Sequence, residues 1–214
     1  MLKPRPSTLV VGGVGVLFVA LTAAIVARSL VRPELESFVP SPVRPADVGA
    51  GSLGPTLYTL DATAHDEWVY FDFSRGSVIP DAARRSLDWD LAFQRHRILT
   101  NGGATNPAGE GGVLDLGPQP LDSVFEVPLT GYVTDEGRGD ASRNRVLEDW
   151  YDYSWTSHIL TPSDRTYAIR TADGRYAALR FVAYYCPGGR PGCVTFLYAY
   201  RGDRGRGGRR FPPE

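Results

Sequence analysis

Between Thr8 and Ala27 twenty residues pass without a charge, most of them Val, Leu, Ala and Gly. A helix that is apolar on every face has to be buried, and at about 1.5 Å per residue such a run matches the roughly 30 Å hydrocarbon layer of a bilayer. The sequence therefore predicts one N-terminal transmembrane helix. A cleavable signal peptide competes, because Lys3 and Arg5 precede the run. Signal cores are about 7–15 residues long and this one is longer, which favours retention as an anchor.

Charge is distributed unevenly around that run. Residues 1–32 hold four basic and no acidic side chains, residues 33–200 hold fourteen basic against twenty-two acidic, and residues 201–214 hold five basic against two acidic. The acidic middle argues against nucleic acid as a partner, since phosphate binding needs clustered Lys and Arg on a folded surface. The basic ends suit membrane lipid or an acidic protein face. Arg201, Arg204, Arg206, Arg209 and Arg210 in the C-terminal tail are the partner-contact candidates.

Only two cysteines occur, Cys186 and Cys193, in Cys-Pro-Gly-Gly-Arg-Pro-Gly-Cys between two strand-like runs. A hairpin there brings both Cβ atoms within bridging distance, so a disulfide is expected, with free thiols as the alternative. A zinc site is disfavoured because no His lies nearby and the spacing is not Cys-x-x-Cys. A disulfide needs an oxidising compartment, which sets the following domain outside the cytoplasm and the N-terminus inside.

Four segments follow. Residues 1–32 are the tail and anchor, in which Gly12, Gly13, Gly15, Ala20 and Ala24 form a small-residue face for packing against another helix. Residues 33–55 carry Pro33, Pro40, Pro42, Pro45 and Pro55, so they read as an extended tether that lets a domain stand off the membrane or run along a partner. Residues 56–200 hold the folded body and residues 201–214 an Arg/Gly-rich tail. Within the body, strands are predicted at Thr56–Leu60, Glu67–Phe73, Leu87–Phe93, Arg97–Thr100, Val124–Val127, Thr166–Thr171, Arg175–Tyr185 and Val194–Tyr200. Asp173-Gly174 is expected to make a two-residue hairpin turn, and the cysteine loop a second hairpin. The fold class is mainly β and antiparallel, behind one transmembrane helix. Residues 101–112 and 135–145 read as long loops, mobile or docked.

Trp89, Phe93, Trp150, Tyr153, Tyr167, Phe181 and Phe196 are expected in the core, whereas Asp88 and Asp90 flank Trp89 and are expected in solvent. Catalysis would need a nucleophile beside a base, a carboxylate pair, a metal triad or a phosphate loop, and none occurs at recognisable spacing. The sequence reads as non-enzymatic.

Several stretches, Trp68-Val-Tyr-Phe-Asp-Phe73, Trp89-Asp-Leu-Ala-Phe93 with Thr100-Asn-Gly-Gly103, Trp150-Tyr-Asp-Tyr153, Tyr167 to Ala177, and Tyr184-Tyr185 ahead of Thr195-Phe196, resemble the HmuY-like family of haem-binding, mostly β proteins of bacterial envelopes. The resemblance covers roughly residues 56–200. It implies a haem between two axial side chains, commonly histidines; the apolar run and the cysteines add the expectation of a bacterial inner-membrane protein with a periplasmic domain. This chain departs from that pattern: its histidines are His65, His96 and His158, and its one Met is Met1. His158, among aromatics, is the best haem-ligand candidate, with Tyr132, Tyr151 or Tyr153 as tyrosinate alternatives. Members of the family are commonly exported lipoproteins, which need a cysteine just after the apolar run, and here no cysteine occurs before Cys186. Two functions are weighed. The first is an accessory subunit whose periplasmic domain contacts other subunits of a membrane complex, respiratory or photosynthetic, with no cofactor required. The alternative is an anchored haem or tetrapyrrole binder with an altered ligand set.

Overall fold

Short runs of aromatic and β-branched residues, broken by Gly, Pro and Asn, pay little entropy to become strands and gain most when two faces can be buried. The computed structural model describes residues 6–30, 35–47, 54–124 and 126–202, with helix side chains described from 14 to 27. In chain order the elements are α1 (Pro6–Leu30), β1 (Thr56–Asp61), β2 (Val69–Asp72), β3 (Ser77–Val78), β4 (Leu91–Gln94), β5 (Arg97–Thr100) and β6 (Gly112–Asp115). They continue with β7 (Tyr151–Tyr153), β8 (Leu160–Pro162), β9 (Thr166–Arg170), β10 (Tyr176–Tyr185) and β11 (Pro191–Gly202). One compact unit holds α1 and Tyr153–Ile159; the other runs from Leu35 to Asp152 and resumes at Leu160.

A five-stranded antiparallel sheet has the order β1-β11-β10-β9-β6, and a four-stranded one the order β3-β2-β4-β5. Aromatic rings of the two sheets interleave. Phe71 of β2 meets Phe196 at 5.1 Å and Tyr198 at 5.5 Å between ring centroids, and Phe93 of β4 stacks on Phe196 at 5.8 Å. All four are almost fully buried. At about 1.5–3 kcal/mol per large buried side chain, plus about 0.5–1.5 kcal/mol per ring pair, this interleaving is the chief cohesive term. The outer face of the larger sheet is covered by Leu121, Val124 and Val127, which pack with Ala168 and Ala178. The outer face of the smaller sheet carries a second cluster of Trp89, Ala92 and Leu99.

Buried polar groups then fix the loops. Asp135 accepts hydrogen bonds from the Thr100 backbone N–H at 3.0 Å, the Thr100 hydroxyl at 2.7 Å, the Thr105 hydroxyl at 2.6 Å and the Asn144 amide at 3.0 Å. These bonds dock both long loops, 101–112 and 135–145, on the body. Close approach explains the glycines of the first: a Cβ on Gly102 would lie 2.0 Å from the Gly111 carbonyl oxygen.

Several expectations need correction. Val124–Val127 is no strand; its two valines are buried without ladder partners, so burial rather than pairing set their composition. The Asp173-Gly174 turn has three residues, not two, closed by Thr171 N–H to Arg175 C=O at 2.8 Å, with only Gly174 at positive φ, +79°. Tyr153 is 42 % exposed rather than core. The described part of the Pro-rich segment does not stand away from its body: Ser41 N–H donates to Thr59 C=O at 2.8 Å and Ala46 N–H to Arg75 C=O at 3.0 Å. Cys186 and Cys193 are bonded, as expected, across the β10–β11 hairpin.

The helix α1 is 25 residues long. Among the described residues, however, no helix is long and apolar enough to cross a membrane. The structure thus gives a helix without showing a span. Nothing lies within 4 Å of a Cβ built on Gly15, and Ala20 and Ala24 are exposed, so no described residue packs on that stripe. The side-chain environment of Gly12 and Gly13, and Arg204, Arg206, Arg209 and Arg210, lie outside the described residues; Arg201 donates to Val124 C=O at 2.7 Å.

Asp90, expected in solvent, is instead buried between the sheets. Its Oδ2 accepts from Phe73 N–H at 2.8 Å and its Oδ1 from Ala172 N–H at 2.9 Å, so one carboxyl joins the end of β2 to the β9–β10 turn. Burial, helped by nearby Asp72, pushes this carboxyl up to about 8. A folded-state value above the unfolded one means that the stabilisation is complete below pH about 4 and is lost as pH rises through about 8. Urea titrations across that window are expected to show falling wild-type stability and a flatter profile for Asp90→Asn, with Asp90→Asn costing about 1–3 kcal/mol at pH 4 through one mismatched backbone donor.

Candidate functional site

Donor chemistry suited to a ligand gathers at two places, and each is set by how the chain turns. Among the described residues no group of three or more His, Cys, Asp or Glu is placed to hold a metal ion by itself. His65 sits in an exposed turn.

The first place is a groove of about 400 Å³ in the β body, lined among others by His96, Arg97, Arg143, Leu147 and Tyr151. His96 follows Arg95, which holds a left-handed φ of 57° and donates to the Thr63 and Pro191 carbonyls, so the β4–β5 turn is rigidly tied. The His96 ring meets Tyr151 edge-on at 5.7 Å. Burial, then Arg95 and Arg97, lowers its pKa, so the imidazole is neutral at neutral pH. The groove's cations are already engaged. Arg97 lies 5.1 Å over the Trp68 ring and donates to Asp140 C=O at 2.7 Å, while Arg143 pairs with Glu136 at 3.1 Å.

The second place is the connection between β7 and β8, which pair as a two-stranded ribbon. Its base is rooted in the body. Trp150 is fully buried, packs on Phe181 at 4.6 Å and donates to His96 C=O at 2.8 Å; Leu160 is buried and its N–H donates to the Tyr185 hydroxyl at 2.9 Å. The tip, Tyr153–Ile159, closes on itself through Ser154 N–H to Ile159 C=O and His158 N–H to Ser154 C=O, both 2.8 Å. Ser154 Oγ accepts further bonds from Ser157 N–H at 3.3 Å and Ser157 Oγ at 2.8 Å. A single turn closed this way ends in a left-handed residue, normally Gly or Asn. Here that residue is His158, at φ 56°.

The turn brings His158 Nδ1 to 2.7 Å from Tyr153 Oη. Beside them Trp155 is 83 % exposed and stands at 89° to the Tyr153 ring, 5.2 Å away. One imidazole, one phenol and an uncovered indole therefore occupy seven residues. His158 and Tyr153 were both legible as ligand candidates, and the structure brings them together. Tyr132 is set apart: it donates to Pro128 C=O at 2.7 Å, and burial raises its pKa, which opposes a phenolate there. Trp155 stood in the sequence among the aromatics around His158 that could wall a flat ligand, but nothing there set it apart as the exposed one. A flat aromatic ligand carrying a ferric centre fits the tip's donor set, since phenol, imidazole and indole face supply a hard oxygen, a nitrogen and a stacking surface.

Comparison with known proteins gives a consistent picture. The model of the HmuY protein family matches residues 64–198. No curated protein matches the chain. Among solved structures, a Tannerella forsythia apo HmuY analog is 20 % identical, covers 73 % of this chain and 99 % of its own, and superposes with a TM-score of 0.57. A Bacteroides vulgatus protein assigned as HmuY-like and heme-binding is 22 % identical over 72 % of this chain and 98 % of its own, with a TM-score of 0.54. Apo PinO from Porphyromonas gingivitis is 16 % identical over 70 % of this chain and 99 % of its own, at 0.55. At these identities the likeness is one of fold.

The base of the ribbon depends on the Tyr185 hydroxyl. Tyr185→Phe leaves the buried Leu160 N–H unpaired, and is expected to lower stability by about 1–2 kcal/mol. Hydrogen exchange should show the Leu160 amide opening faster while Leu179 in β10 changes only with global stability.

Proposed function

This chain belongs to the HmuY family, and from that premise we propose that it is a non-enzymatic binder of haem or a closely related tetrapyrrole, received at the tip of the β7–β8 ribbon. The observation that carries the reading is Trp155: an indole 83 % exposed beside a hydrogen-bonded Tyr153–His158 pair. Leaving so large an apolar face in water forgoes about 1.5–3 kcal/mol, and a flat ring laid over it would recover that energy. Bound haem would supply an iron centre open to an axial donor, and the hydrogen-bonded Tyr153–His158 pair would offer one. The heme-binding assignment of the Bacteroides vulgatus relative supports the same ligand class.

The alternative weighed from sequence is therefore preferred to the accessory subunit, because the chain belongs to the HmuY family and a solved structure of the same fold is named as a heme-binding protein. The disulfide supports a location outside the cytoplasm, on the periplasmic side of a bacterial inner membrane. Attachment to that membrane through α1 rests on the uncharged run Thr8–Ala27.

Titration of the full-length protein with haemin, followed by absorbance, is expected to give a shifted Soret band that saturates at one equivalent. Trp155→Ala should weaken binding about 10–30-fold, the loss corresponding to about 1.4–2 kcal/mol of ring contact. A wild-type protein that leaves the haemin spectrum unchanged would overturn the proposal.

A further inference from the structure

We propose that Tyr153, not His158, supplies the iron ligand at this tip, and that His158 is the positioning residue that holds the phenol oxygen, which makes the site selective for ferric over ferrous haem. This rests on the tetrapyrrole reading and sharpens it. A neutral imidazole has one nitrogen that donates and one that accepts. The Tyr153 Oη to His158 Nδ1 distance of 2.7 Å lies at the short end for an N–H donor and in the middle of the range for an O–H donor. As the stronger donor of the pair, the free phenol is assigned the hydrogen bond to Nδ1, which leaves the imidazole proton on Nε2. In that arrangement neither ring nitrogen has a lone pair to spare, whereas Tyr153 Oη keeps its own.

The coordination step balances without any redox partner. Tyr153 Oη would give an electron pair to ferric iron, its O–H bond would break, and one proton would leave to water, with His158 Nδ1 keeping its hydrogen bond to the phenolate as the N–H donor. No electron is transferred. A phenolate is a hard, anionic ligand, which neutralises the extra charge of the ferric state and gains less from the ferrous one.

The backbone bears on the same assignment. His158 holds φ 56°, where an ordinary side chain costs about 1 kcal/mol relative to glycine. The cost is met by a turn closed by bonds within Ser154–Ile159, which hold the imidazole beside Tyr153. A freely moving ligand would need no such turn. With one phenolate as the donor from the tip, a high-spin ferric signal is expected.

The test uses the full-length protein, with haemin as probe, and reads absorbance and electron paramagnetic resonance. Wild type should give a high-spin ferric signal with a phenolate-to-iron charge-transfer band, and reduction with dithionite should weaken binding at least about tenfold. Tyr153→Phe should abolish the band and weaken haemin about 30-fold or more. His158→Asn, which tolerates a left-handed φ and keeps an acceptor, should retain the band; His158→Ala should lose much of it. A low-spin spectrum, or one unchanged in Tyr153→Phe but lost equally in His158→Asn and His158→Ala, would overturn the ligand assignment while leaving haem binding intact. A signal removed by His96→Ala alone would overturn it too and move the site to the groove. Failure of wild type to bind haemin would sink the underlying reading as well.

Discussion

The interleaving of Phe71 and Phe93 with Phe196 and Tyr198 is the contact on which the other features rest. These four rings are contributed by both sheets, and every ring is almost fully buried. Because they fill the space between the sheets, the polar groups trapped at its margin cannot reach water and have to find partners inside. Asp90 does so by joining β2 to the β9–β10 turn, and Asp135 by gathering Thr100, Thr105 and Asn144. The aromatic core supplies the energy, and the two carboxyls decide which loops are held against it. This division follows from the asymmetry of hydrogen bonding: a satisfied buried acceptor adds little, but an unsatisfied one costs about 1–3 kcal/mol.

Much of this was written plainly in the sequence. The strands β1, β5, β9, β10 and β11 announce themselves by β-branched and aromatic runs, and the cysteine pair by its hairpin spacing. Asp90 was misread because strand alternation predicts only which face a residue takes, not whether that face is covered by a turn distant in sequence. Val124–Val127 was misread because burial and strand propensity select the same residues. The Pro-rich segment was taken as a tether since proline excludes regular structure; the bonds from Ser41 and Ala46 show that an irregular chain can still be laid down along a body.

The candidate site lies where sequence signals are weakest. β7 and β8 have three residues each, too few for any periodicity, and the tip between them is a polar turn of Ser and Thr. His158 was picked out for its aromatic surroundings. Nothing in one dimension could show that it takes a left-handed backbone, or that its Nδ1 meets Tyr153 Oη. The family's fold is retained in the sheets, while the proposed ligand chemistry lies in the seven residues Tyr153–Ile159. Loops carried on a rigid scaffold are where ligand-binding residues commonly lie.

The most direct measurement of where a tetrapyrrole rests is paramagnetic broadening in the amide NMR spectrum of the full-length protein on adding one equivalent of haemin. Loss of the Tyr153–Ile159 signals, with those of Phe93, Leu179 and Phe196 left sharp, is the predicted result. Broadening centred on His96 and Leu147, or spread evenly over the sheets, would contradict it.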